Sequence, residues 1–280
     1  PGEVAFRLYD TYGFPLDLTT EILEERGISF DEEGFRVQME MQRHKSKQAW
    51  QGIGEGKIKE VYQWLANEGM KTAFLGYEEI QSESKILRLI KGDEIVPSAG
   101  VGDDIEVVTE ETPFYGEAGG QVGDRGVIFH EEFSLEVENA IKPLEGLILH
   151  QAKVKRGAVR EGMPAVLRVD PERRKAVALN HTATHVLQAV LREVLGDHVH
   201  QAGSLVAPDR LRFDFTHFAP MDREELERVE ALVNRIIREN LKLETKIMTI
   251  EEALQTGAMA LFGEKYGEEV RVVMISDFSM

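Results

Sequence analysis

The sequence contains no cysteine in its 280 residues. That excludes disulfides, gives no support for secretion and removes the commonest partner of histidine in metal sites. No run of about 18 apolar residues is present, so no segment reads as a membrane span. No basic-apolar leader opens the chain either, and a cytosolic protein is the default expectation. Cations are scarce: 33 Lys and Arg against 50 Asp and Glu give a net charge of −17. A chain this acidic is not held to nucleic acid by its overall field, and any RNA contact would need local basic patches. The 42% hydrophobic content is ordinary, and 280 residues suffice for two or more domains with cores of their own. The chain opens on Pro1 and stops at Met280 directly after a strand-like run, so it is expected to be a piece of something longer.

Residues 1–71 read as a helical segment plus linker. Gly13 and Pro15 mark a turn, a helix follows over 17–26 and stops at Gly27, and Asp31 caps the next helix, on which Phe35, Met39 and Gln42 recur at helical spacing. The basic stretch 43–47 suits a helix C-terminus. Three glycines within 52–56 make the best linker. Over 72–169 the pattern turns to period two, with strands expected at 73–77, 85–90, 104–109, 125–129, 134–139, 147–154 and 165–170. That is the pattern of a small antiparallel barrel or sandwich. Within it, Pro113-Phe114-Tyr115 through Gly119-Gly120-Gln121-Val122-Gly123-Asp124 is too glycine-rich for a strand interior. It is not a phosphate loop, because no Gly-Lys-Ser/Thr and helix follow.

Residues 170–280 read as an α+β core. Asp170-Pro171-Glu172 opens a long helix that Gly196 closes. Through its apolar surface runs a polar stripe, His181, Thr184, His185 and Gln188, which must face water, a cleft or a ligand. A hairpin is expected over 201–215. Next come an amphipathic helix over 222–241, with Leu226, Val229, Leu232, Val233, Ile236 and Ile237 as its core face, a strand over 243–248, a short helix over 250–255 and a strand over 270–275.

His181 and His185 lie four residues apart, one above the other on one helical face, which is how two imidazoles reach one metal ion. Such a pair is also a common surface or core feature. The zinc-peptidase signature needs glutamate beside the first histidine, and Thr182 stands there. A zinc site needs three or four protein ligands, and His198, His200 and His217 are further candidates. Gln201 and Ser204 either hydrogen-bond a ligand or close a turn. Lys265 either meets a phosphate or carboxylate or is solvated. Lys153, Lys155, Arg156, Arg160, Arg173, Arg174 and Lys175 cluster ahead of the histidine helix, as a phosphate backbone would require.

Asn180-His181-Thr182-Ala183-Thr184-His185, Gln201-Ala202-Gly203-Ser204-Leu205, Leu211-Arg212-Phe213-Asp214-Phe215 and Gly257 through Tyr266 closely resemble the editing domain of the alanyl-tRNA synthetases. The glycine segment resembles that of the β-barrel preceding it. Gly2 through Asp17 resembles the end of that family's tRNA-recognition region, a stretch that free-standing editing proteins are expected to lack. The resemblance implies a zinc hydrolase that clears seryl- and glycyl-tRNA(Ala). It makes His181 and His185 two Zn2+ ligands and puts Thr184, Gln201 and Ser204 around the aminoacyl ester. Gly119, Gly120 and Gln121 would lie near the acceptor end, with Lys265, Arg173 and Arg174 as further tRNA contacts. The family's other two ligands lie in a Cys-Gly-Gly-Thr-His motif after an Asp-Phe-Ser sequence like Asp277-Phe278-Ser279, so this chain is expected to carry half the site. It also lacks the ATP-binding aminoacylation core. The alternatives are a module that only binds and spaces the acceptor stem, and a free-standing hydrolase.

Overall fold

The computed structural model describes residues 2, 4–6, 19–20, 23, 26–27, 31, 34–39, 58–255 and 269–275. The chain divides into two compact units, Pro1–Ile58 and Lys59–Met280. In the first, Asp31 caps as its sequence position predicts. Its Oδ1 accepts the Gly34 N–H at 2.9 Å, its carbonyl accepts the Phe35 N–H, and 34–39 is helical. Phe35 is buried, with the Phe6 ring edge-on to it. The turn at 13–15, the basic stretch 43–47 and the glycine linker lie outside the described residues.

The second unit runs α1 (Glu60–Asn67), β1 (Ala73–Phe74), β2 (Gln81–Lys91), β3 (Glu94–Val96), β4 (Ser98–Gly100), β5 (Asp104–Thr109), β6 (Glu111–Thr112), β7 (Gly126–Phe129), β8 (Phe133–Leu144), β9 (Leu147–Arg160) and β10 (Pro164–Val169). It continues with α2 (Pro171–Leu195), β11 (Gln201–Val206), β12 (Leu211–Phe215), α3 (Arg223–Glu239), β13 (Leu243–Thr249), α4 (Ile250–Gln255) and β14 (Glu269–Ile275). This is a mixed α+β fold.

Six antiparallel strands close a barrel in the order β2, β5, β9, β8, β7, β10, with β10 pairing back onto β2. Closure leaves these strands no open edge for another chain to pair with. Register shifts at Ile86/Arg88, Ser134/Leu135 and Val137/Asn139 are the bulges that bend long strands around so small a circumference. Inside, Phe133, Leu135 and Val137 alternate along β8 and pack with Ile86, Leu89, Leu167 and Phe114. On β9 one polar side chain is sealed in: the fully buried His150 donates from Nδ1 to the Val107 carbonyl at 2.8 Å, and its Nε2 accepts the Thr112 hydroxyl at 2.7 Å. Both nitrogens are satisfied by the neutral ring, and burial pulls the pKa down to about 4. Helix α1 packs Tyr62 and Leu65 onto Ile90, Val108, Leu147 and Leu149. The sequence boundary at residue 71 marks where alternation begins, while packing joins α1 to the strands.

Beyond the barrel, α2 begins as its sequence predicts. Asp170 Oδ1 accepts the N–H groups of Glu172 and Arg173 at 3.0 and 3.1 Å, and Pro171 occupies the first turn. Val186, Val190 and Leu191 of α2 pack against Val229 and Ile236 of α3 and Ile275 of β14. A reciprocal Asp222–Glu225 capping box starts α3. Leu226 and Ile237, expected in the core face of α3, are 53% and 54% exposed instead. At about 100° per residue they fall on one shoulder, roughly 60–80° from Val229, outside the stripe that meets α2.

Candidate functional site

His181 and His185 stack on one face of α2, ring centroids 5.1 Å apart and planes 28° from parallel. That follows from their i, i+4 spacing. Burial holds the His185 imidazole below its ordinary pKa. His181 Nδ1 lies 2.6 Å from Gln121 Oε1, and an amide oxygen only accepts, so Nδ1 is the donor of this hydrogen bond. Two imidazoles on one face, one oriented by an outer hydrogen bond, are nitrogen donors of the type that zinc takes. No group of three or more His, Cys, Asp or Glu among the described residues could hold a metal. His198, His200 and His217 therefore do not join the pair. His198 Nε2 and His217 Nδ1 hydrogen-bond each other at 2.8 Å, and His200 is exposed.

The glycine segment supplies Gln121. Gly120 (φ +81°) runs so close to β11 that a Cβ there would sit 2.5 Å from the Ser204 carbonyl oxygen. The Gly120 carbonyl accepts the Val206 N–H at 2.8 Å, and the Val122 N–H donates to the Val206 carbonyl at 3.0 Å. Three residues on, Asp124 accepts Arg174 Nε at 3.0 Å and pairs with its Nη2, while the same guanidinium donates to the carbonyls of Gly76 and Pro113 at 2.5 and 2.6 Å. Arg174 precedes His181 by seven residues, two helical turns or about 10.5 Å. Three extended residues span about 10 Å. The segment thus lies antiparallel along α2, pinned at both points. On the other side of the helix–hairpin junction, Asn180 Nδ2 donates to the Ala207 carbonyl at 2.7 Å.

The structure accordingly gathers His181, His185, Gly120, Gln121 and Ser204. Thr184 is buried, its hydroxyl donating to the Asn180 carbonyl at 2.9 Å. Gln201 is half-buried where the β11 register shifts, and Ser204 is half-buried opposite Phe213. Arg174 is turned inward. Arg173 is half-buried beside Arg125 and its Nε has no hydrogen-bond partner among the described residues. Lys265 lies outside the described residues. Much of the basic cluster is internally paired: Lys153 with Asp104, Lys155 with Glu136, Arg160 with Glu132, and Arg156 with the carbonyls of His130 and Glu131. A surface cavity of about 660 Å³ lined by Arg125, Glu136, Arg168 and Asp170 includes neither site histidine. Sequence reasoning missed the Gln121–His181 and Asp124–Arg174 pairs. Their residue types were visible, but sequence separations of 60 and 50 concealed the pairing.

Comparison with known proteins adds the family. The tRNA synthetases class II (A) match residues 1–173. The alanine–tRNA ligase of Chelativorans sp. (strain BNC1) is 51% identical over 272 residues, covering 97% of this chain and 31% of that protein. Those of Mesorhizobium japonicum and Nitratidesulfovibrio vulgaris are each 50% identical, over 272 and 281 residues, covering 97% and 100% of this chain and 31% and 32% of theirs. The chain thus spans about a third of the length of the curated relatives it matches. The family match includes the barrel and the first turn of α2, and the alignment with the N. vulgaris protein continues across the histidines. The chain belongs to the tRNA synthetases of class II (A).

Proposed function

We propose that this chain is the editing region of an alanyl-tRNA synthetase, hydrolysing the ester that joins serine or glycine to the terminal ribose of tRNA(Ala). The observation that carries the reading is the convergence of three motifs on one place. The imidazoles of His181 and His185 share a face of α2, Gln121 of the glycine segment meets His181 at 2.6 Å, and the Ser204 strand abuts Gly120. The alanine–tRNA ligase identity of the relatives supports it.

His181 and His185 would hold Zn2+, with the remaining ligands, by resemblance, from a Cys-Gly-Gly-Thr-His motif following Asp277-Phe278-Ser279. Bound zinc would supply a Lewis acid that orients the aminoacyl group or lowers the pKa of a water. Thr184 already spends its one hydroxyl proton on Asn180. Toward a ligand it can therefore only accept, which favours the hydroxyl of serine over the methyl of alanine. Gln201 and Ser204 supply further polar contacts around the ester. Gly119 and Gly120 would lie near the acceptor end by resemblance, with the Cβ-free side of Gly120 turned to Ser204. Arg173 and Lys265 would be further tRNA contacts by resemblance, although the Arg173 Nε itself is buried, and Arg174 serves the fold. In the parent protein, charging of tRNA with ATP belongs to other domains, and the setting is cytoplasmic protein synthesis.

The test is deacylation of seryl-tRNA(Ala) by this 280-residue chain and by one extended through the Cys-Gly-Gly-Thr-His motif. The extended chain should hydrolyse it and the shorter one poorly. Equal activity would sink the claim that ligands beyond Met280 are needed, and no activity in either would sink editing.

A further inference from the structure

We propose that Gln121 is a positioning residue for the metal site: by accepting the Nδ1 proton of His181 it selects the tautomer whose Nε2 can bind the metal. The inference rests on the reading of the histidine pair as a zinc site. A neutral imidazole carries one proton and offers its lone pair at the other nitrogen, so whatever sets the proton sets the ligating atom. Here the 2.6 Å contact pairs Nδ1 with an amide oxygen, which can only accept. Were the Gln121 amide turned the other way, its NH2 would face Nδ1, the ring proton would move to Nε2 and that nitrogen would be closed to a metal.

Gln121 sits on a backbone held from both sides. It is buried, and the flanking Gly120 carbonyl and Val122 N–H are both bonded to Val206. Its own N–H donates to the Ala118 carbonyl at 3.0 Å, and the Asp124–Arg174 ion pair fastens the segment two helical turns away. The glycines serve this placement, because any Cβ on Gly120 would push the segment off β11. The histidine helix comes after the barrel in the chain, yet the orientation of its first metal ligand is dictated by a barrel loop. The metal then meets a site whose first imidazole is ordered in advance, and loss of such an outer hydrogen bond typically costs 10–100-fold in metal affinity.

The experiment reads the His181 ring nitrogens by 15N NMR in the metal-free 280-residue chain at about pH 8, where imidazole is neutral, and zinc affinity by chelator competition in the full-length protein. Wild type should carry the proton on Nδ1. Gln121→Met, similar in length but without an acceptor, should shift the ring toward the other tautomer and weaken zinc binding by about 10–100-fold. Gln121→Glu, which keeps an acceptor, should hold both near wild type. A wild-type proton on Nε2 would overturn the proposal, as would a Gln121→Met protein with unchanged ring shifts and zinc affinity. So would a Gln121→Glu protein that falls as far as Gln121→Met, since that would make the role one of packing. The ring-nitrogen readout needs neither metal nor tRNA, so it stands or falls apart from the editing reading.

Discussion

Replacing Asp124 with asparagine removes the charge that fastens the glycine segment to the histidine helix. The Asp124 side chain is 3% exposed and that of Arg174 17%, so water does little to screen either charge. Asp124 also accepts the Tyr115 N–H at 2.6 Å, which makes it the hub of the segment. Removing one partner of a buried ion pair leaves the other uncompensated and costs about 3–5 kcal/mol. Set against a total stability of about 5–15 kcal/mol, that is a large fraction. With a slope of at most about 3 kcal/mol per molar urea, the unfolding midpoint should fall by about 1 M or more. Arg174→Lys should lose nearly as much, because an ammonium cannot reach the Gly76 and Pro113 carbonyls and both carboxylate oxygens together. A double variant, Asp124→Asn with Arg174→Met, should recover part of the loss. A cost below about 1 kcal/mol for Asp124→Asn, the range of an exposed pair, would refute the claim that this pair pins the segment.

Other outcomes follow from single residues. His150 takes up its proton near pH 4 when folded and near 6.5 when unfolded, so its contribution to stability is intact above pH 6.5 and is lost as the pH falls toward 4. That amounts to about 3 kcal/mol, and His150→Asn should show a correspondingly shallower fall in urea midpoint between pH 7 and pH 4. An equal fall in both proteins would contradict it. Gly120→Ala combines a left-handed φ with a backbone clash. It should destabilise by about 1–3 kcal/mol and loosen zinc with it, and an unchanged melting temperature would show that the segment has room to spare. On α3, Ile236→Ala should cost about 2–5 kcal/mol, whereas the exposed Leu226→Ala should stay within about 0.5 kcal/mol in the same urea titration.

The barrel was legible where alternation and turn residues coincide: 104–109 matches β5 outright, and six further predicted strands overlap observed ones. Strands β3, β4 and β6, two or three residues long, are too short to show a period. The far half of β9 escaped because Lys155, Arg156 and Gly157 read as surface. The ends of α2 were written in Asp170-Pro171 and Gly196, both local signals. Closure of β10 onto β2 was not legible, because pairing across some eighty residues leaves no local trace. The same holds at the site. The histidine face follows from helical spacing alone, but what Gln121, Asp124 and Arg174 do depends on a loop lying along a helix that follows it by 50 residues or more. The basic cluster illustrates the converse: charge was read correctly, but the acidic partners across β8 and β5 were invisible in one dimension.

The central claim is that His181 and His185 hold a zinc ion used to edit mischarged tRNA. It is tested most directly by zinc content and seryl-tRNA(Ala) hydrolysis, measured together on the full-length protein before and after chelation and on a His181→Ala variant. The account predicts one zinc per editing site, hydrolysis lost on chelation and restored by zinc, and both lost in the variant. Full seryl-tRNA(Ala) hydrolysis by a zinc-free protein, or by His181→Ala, would contradict it.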